Sequence, residues 1–150
     1  MTVFRYKDCI DKGLLKKIPA SFEKAQMSIV KAQNWSNEAT KSLDAKALDS
    51  SIIAAYLVMF HSARAILFFD GYREKSHACV ARYLEEKYMK TGKLEKKWVE
   101  LLDHTREMRH NNQYDLSFCS TEKEAQKAIT TANKFLERMK VLFGQLSENT

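Results

Sequence analysis

A chain of 150 residues with 4 Gly and 1 Pro reads as one domain, large enough to bury a real core and poor in helix breakers. Its net charge of +6 makes polyanions such as RNA or a nucleotide plausible partners, although 19 acidic residues lie among the 25 basic ones and Lys-rich solvated faces would give the same balance. The 3 Cys are odd in number and far apart, which excludes a disulfide framework and a CxxC pair and points to a reducing, cytoplasmic setting.

In chain order, residues 1–18 read as an N-terminal arm or short helix, without the apolar core of a signal peptide. Pro19 is placed in the first turn of a new helix. Phe22, Ala25, Ile29, Ala32, Ala39 and Leu43 then step by three and four, with Ser36 in the missing position, which predicts a long amphipathic helix. Asp49 or Ser50 can cap the next one. That next stretch, Ser51 to Phe69, is the most apolar in the chain, and from Ile52 to Phe60 its apolar residues cover every direction, so it belongs in the middle of a bundle. About 14 uncharged residues precede Arg64, too few for a membrane span of about 20. His61 and Arg64 lie three apart on one face of it and mark either a groove or an internal polar network.

Asp70-Gly71 stops the central helix. Ser76 can cap a shorter helix carrying Val80, Tyr83, Leu84 and Tyr88 on one side. After a turn at 90–93, Leu94, Trp98, Leu101, Leu102, Thr105 and Met108 face inward on a fifth helix, which Asn111-Asn112 would end because Asn tolerates the left-handed conformation. A non-periodic stretch from Tyr114 to Ser120 leads to a capping box at Thr121–Glu124. From Ala125 to Leu146 the apolar steps of three and four do not miss once. Nothing alternates like a sheet. The expectation is an all-α, antiparallel up-and-down bundle of four to five main helices, with residues 19–147 forming one unit.

Chemistry is sparse. His61, His77, His104 and His110 are dispersed, and neither HExxH nor the Glu-x-x-His of di-iron bundles occurs, so no metal or other cofactor is expected. No nucleophile elbow, phosphate-binding glycine loop or dinucleotide fingerprint is present. What stands out is the run Arg106 to Asp115, which gathers Arg106, Arg109, His110, Tyr114 and Asp115 at one helix end. Guanidinium groups suit a phosphate, and His moves protons near neutral pH. The same residues would also serve as a cation-rich helix C-terminus capped by Asn.

The run Ala55 to Leu67, AYLVMFHSARAIL, together with the later Gly, the step Lys75-Ser76-His77, and Arg109-His110 followed by Tyr114-Asp115, resembles the small stand-alone bacterial and archaeal members of the HEPN superfamily. The resemblance covers roughly residues 20–146 and implies a helical bundle that dimerises, works on RNA or nucleotides, and pairs with a minimal nucleotidyltransferase in a toxin–antitoxin couple. Its ribonuclease members carry Arg, a polar residue, a short spacer and then a catalytic His. Here Arg109 and His110 match the first two positions, while Tyr114 and Asp115 stand where the His would be. Two functions are therefore expected to compete. One is a partner or regulator that holds a nucleotide or RNA phosphate through Arg106, Arg109, His61, Arg64 and His77. The other is a metal-independent endoribonuclease using Arg109 with His110, Tyr114 or Asp115 as replacement base.

Overall fold

The apolar stretch forms the central helix, and the remaining elements are arranged around it. The computed structural model describes residues 3–117 and 119–149. Met1 and Thr2, at the start of the expected arm, and Phe118, within the expected non-periodic stretch, lie outside the described residues, as does Thr150. The elements are α1 (Tyr6–Asp11), β1 (Leu15–Lys17), α2 (Phe22–Asp44), α3 (Leu48–Asp70), β2 (Tyr72–Glu74), α4 (His77–Leu84), a π-helical turn (Glu85–Met89), α5 (Lys96–Tyr114) and α6 (Glu122–Glu148). The architecture is an all-α bundle with one small ribbon.

Helix α3 is buried on all sides, from Ile52 through Tyr56, Met59 and Phe60 to Leu67. It is long and apolar enough to cross a membrane, but 67% of that apolar window is buried inside the fold, as in the core helix of a soluble protein. Helix α2 packs along it through Ala25, Ala32 and Ala39, whose small side chains allow close approach. Helix α6 covers another side with Ile129, Phe135, Leu136, Met139 and Leu142, and α5 and α4 complete the shell. Buried hydroxyls on α2 are satisfied across helices: Ser28 donates to the His61 carbonyl at 2.6 Å and Ser36 to Asn133 at 2.6 Å.

Several local expectations are corrected. Pro19 lies before α2, whose N-cap is Ser21, accepting from the Lys24 N–H at 3.0 Å. Neither Asp49 nor Ser50 caps α3; its N-cap is Ala47, and Lys46 makes the bend with φ 63°. Gly71 does end α3, at φ 88°, and a Cβ there would stand 2.8 Å from the Ile18 carbonyl oxygen, so glycine is required. The arm is a helix followed by a strand: β1 pairs antiparallel with β2, Leu15 opposite Glu74. The absence of disulfides is overturned as well. Cys9 of α1 is bonded to Cys79 of α4, both fully buried, and Cys119 is free and exposed. The expectation failed because the two lie 70 apart in sequence, and the packing of α1 on α4, beside the ribbon, is what brings them together.

The π-helical turn also has a physical reason. In a regular α-helix Tyr83 and Tyr88 would diverge, but a wider i→i+5 turn, closed by the Lys90 N–H on the Glu85 carbonyl at 3.0 Å, lines them up. Both phenols then donate to Asp70 Oδ2, at 2.7 and 2.5 Å. Burial and the Asp70 carboxylate push both phenols up, so they stay protonated.

Candidate functional site

Helix α5 runs through Asn111-Asn112 to Tyr114 and so is longer than the two Asn residues suggested. With the helix continuous, Arg106, Arg109 and Gln113 fall in one line at steps of three and four. Arg109 Nη1 donates to Gln113 Oε1 at 2.9 Å, and Arg106 stands 3.5 Å from Asp103. The guanidinium of Arg109 lies 5.0 Å from the centre of the Tyr56 ring, on α3. The Nε of Arg106 and the Nε of Arg109 are both buried and have no hydrogen-bond partner among the described residues.

Opposite them is the start of α4. Ser76 is its N-cap, extended at φ −132° and ψ 131°, but its side chain makes no capping bond. His77 follows and is held firmly: its ring stacks on Phe60 at 4.0 Å and Nδ1 lies 3.0 Å from the Tyr56 hydroxyl. Between these walls is an open pocket of about 450 Å³ bounded by Ser76, His77, Ala78, Arg106, Glu107, Arg109, His110 and Asn111.

The electrostatics follow from burial and the two arginines. Burial, then Arg109, Arg64 and Arg106, lower the His77 pKa, so the ring is neutral at pH 7. Burial pushes Tyr56 up to about 12 against the pull of Arg109 and Arg106, so it remains a phenol. The tautomer of His77 is coupled to that phenol. If Tyr56 donates to Nδ1, the other ring nitrogen carries the proton and is a donor. If Nδ1–H donates to the Tyr56 oxygen, the other nitrogen holds a lone pair and can act as a base. Two guanidiniums, an α4 N-terminus and a neutral imidazole make a setting able to hold a phosphate and exchange a proton with it.

The expected residues are distributed unevenly. Arg106, Arg109, His110 and His77 line the pocket. Tyr114 and Asp115 do not line it and are exposed; Asp115 accepts from the Ser117 N–H and hydroxyl, which lowers its pKa and weakens it as a base. Arg64 is turned away into an ion pair with Glu74 at 2.9 Å, its guanidinium over Phe68 at 4.8 Å. His61 lies edge-on to Phe60 at 5.2 Å. Tyr56, Ser76, Glu107 and Asn111 were not expected from the sequence as site residues. The aromatic pair Tyr56 and Phe60, four apart on α3, is the signal that could have found the His77 seat.

The state of His61 has a measurable consequence. Burial first, then Arg64, Lys31 and His77, lower its pKa to about 4. Above about pH 6.5 the ring is neutral in folded and unfolded chains alike. As pH falls from there towards 4, the unfolded chain takes up a proton that the native state refuses, so stability is lost. The loss is expected to be on the order of 2 kcal/mol, discounted for partial exposure. Urea unfolding at a series of pH values should show it, and His61→Gln should flatten the profile. An equally steep profile in the variant would show that other groups cause the slope.

A family model described as the HEPN domain matches residues 25–142. No curated protein matches the chain. The match includes every residue of the pocket, while α1 and β1, with Cys9, lie outside it.

Proposed function

The chain belongs to the HEPN domain family, and from that premise we propose that the pocket between α4 and α5 holds a phosphate of RNA or of a nucleotide. In this reading the protein is a cytoplasmic homodimer that acts as partner or regulator of a minimal nucleotidyltransferase in a toxin–antitoxin-like pair. The observation that carries the phosphate reading is that two guanidinium-bearing residues, Arg106 and Arg109, line one open pocket together with His77. An anion there would be attracted by both guanidiniums, and the protein's net charge of +6 would favour its approach.

The test is binding of a labelled RNA oligonucleotide and of AMP by the parent and by Arg109→Ala. Loss of one charge-assisted contact worth about 1.5–3 kcal/mol should weaken binding by roughly 10- to 100-fold. The parent's affinity should also fall with salt. A folded parent that binds neither ligand would sink the reading.

A second reading, RNA cleavage, is supported by one observation: His77 reaches the pocket from α4, on the opposite wall from Arg109. It supplies an imidazole where α5 itself has none at the expected spacing. In that reaction His77 would take the proton of a ribose 2′-hydroxyl. The oxygen would attack phosphorus, and the bond to the 5′-oxygen would break. The leaving oxygen would take the proton back from His77, leaving a 2′,3′-cyclic phosphate and a 5′-hydroxyl. Arg109 would stabilise the charge developing at phosphorus. Cleavage in excess chelator by the parent, absent from Arg109→Ala and His77→Gln, would establish it. Binding without cleavage would leave the regulator reading alone.

A further inference from the structure

The pocket does not end at its arginines. His110 forms part of its wall, and one helical turn further along α5 the Tyr114 ring lies 4.9 Å from the His110 ring, tilted by 47°. Tyr114 is 67% exposed, which is unusual for a ring that a helix could have folded inward. Its exposure has a local cause: α5 stops at Asp115, whose carboxylate accepts from the Ser117 N–H at 3.0 Å and from the Ser117 hydroxyl at 2.7 Å, turning the chain there. The returning segment is tied elsewhere, through Ser120 to Asp49 at 2.6 Å and to Asn112 at 3.2 Å. His110 and Tyr114, four apart, share one face of α5, and His110 joins this aromatic surface to the pocket wall, since Tyr114 itself points about 140° around the helix from Arg109.

We propose that Tyr114 and His110 form a stacking subsite for an unpaired nucleobase whose adjoining phosphate sits on Arg106 and Arg109. The inference rests on the phosphate reading of the pocket and adds a requirement to it. Aromatic side chains beside arginines hold single strands because every base offers a flat π-face, and a base inside a duplex has both faces already covered by its neighbours. The ligand is accordingly a single-stranded segment, and the phosphate is only half of what is recognised.

The experiment uses fluorescence anisotropy with a labelled 2′-O-methyl oligonucleotide, which cannot be cleaved, offered as a single strand and as a duplex with its complement. Inorganic phosphate serves as competitor. Tyr114→Ala is expected to weaken single-strand binding by about tenfold, in the range found for loss of one stacked base. Tyr114→Phe should bind like the parent, and the concentration of phosphate that competes should not change. The duplex should bind the parent more weakly than the single strand. Equal binding of the single strand by Tyr114→Ala and parent, with Arg109→Ala still defective, would overturn the stacking subsite and leave the phosphate pocket standing. Failure of the parent to bind either oligonucleotide or phosphate would overturn both.

Discussion

Glu74→Ala is expected to destabilise the fold by about 3 kcal/mol, the lower end of the range for breaking a buried ion pair by removing one partner. The Glu74 side chain is 6% exposed and that of Arg64 19%, and the carboxylate reaches Arg64 Nε with Oε1 at 2.9 Å and Oε2 at 3.2 Å. Removing it would leave a guanidinium between the rings of Phe60 and Phe68, at 5.6 and 4.8 Å, with no counter-charge. The loss should be mostly repaired by adding Arg64→Met, because the pair's own desolvation cost then disappears as well. Urea unfolding of the two single variants and the double variant measures this. A cost below about 1 kcal/mol for Glu74→Ala would mark the pair as a solvated contact of the surface kind. The position gives the pair a further role. Glu74 closes β2, and the next residues but one, Ser76 and His77, begin α4 and form one wall of the pocket. Arg64 thus anchors the approach to the site without lining it.

That division shows what could be read from the chain and what could not. The all-round apolarity of 52–60 and the unbroken steps of 125–146 report burial directly, so α3 and α6 were legible as the core helix and its cover. His61 and Arg64 were legible as a polar face inside an apolar helix, and both outcomes, groove or network, were compatible with their spacing. The choice between them depends on Glu74, ten residues beyond Arg64 and delivered by a strand. That strand exists only because β1, from the N-terminal arm, pairs with it, Lys17 opposite Tyr72. Three-residue strands carry too little periodicity to be seen in sequence. The pocket was half legible for a related reason. Arg106, Arg109 and His110 share one helix, and local spacing places them; His77 and Tyr56 join through tertiary packing, which no local pattern encodes. Asn111-Asn112 misled because a propensity for helix ends is weak against a helix that still has bonds to make, here the Asp115 N–H to the Asn111 carbonyl at 2.9 Å.

Reduction of the Cys9–Cys79 disulfide is expected to cost about 2–4 kcal/mol of stability and to weaken ligand binding as well. The bond closes a loop spanning a sequence separation of 70, for which loss of unfolded-state entropy predicts about 4 kcal/mol, an upper figure because real crosslinks often deliver less. The functional effect follows from where it is placed. On one side of Ser76 and His77 the chain is held by the ribbon and by the Lys75 N–H on the Leu14 carbonyl at 2.8 Å; on the other it is held at Cys79. Cutting the second tie leaves α1 fastened to α4 by packing alone and loosens the segment that presents His77 to Arg109. Both of these sulfurs are fully buried and meet a reductant only when the arm opens. Thiol titration of the unfolded chain without reductant should find one free thiol, that of Cys119. With reductant, the urea midpoint of the parent should fall, and that of the Cys9→Ala/Cys79→Ala double variant should not move. Three free thiols in the unreduced chain, or a parent indifferent to reductant, would show that the arm is held without the bond.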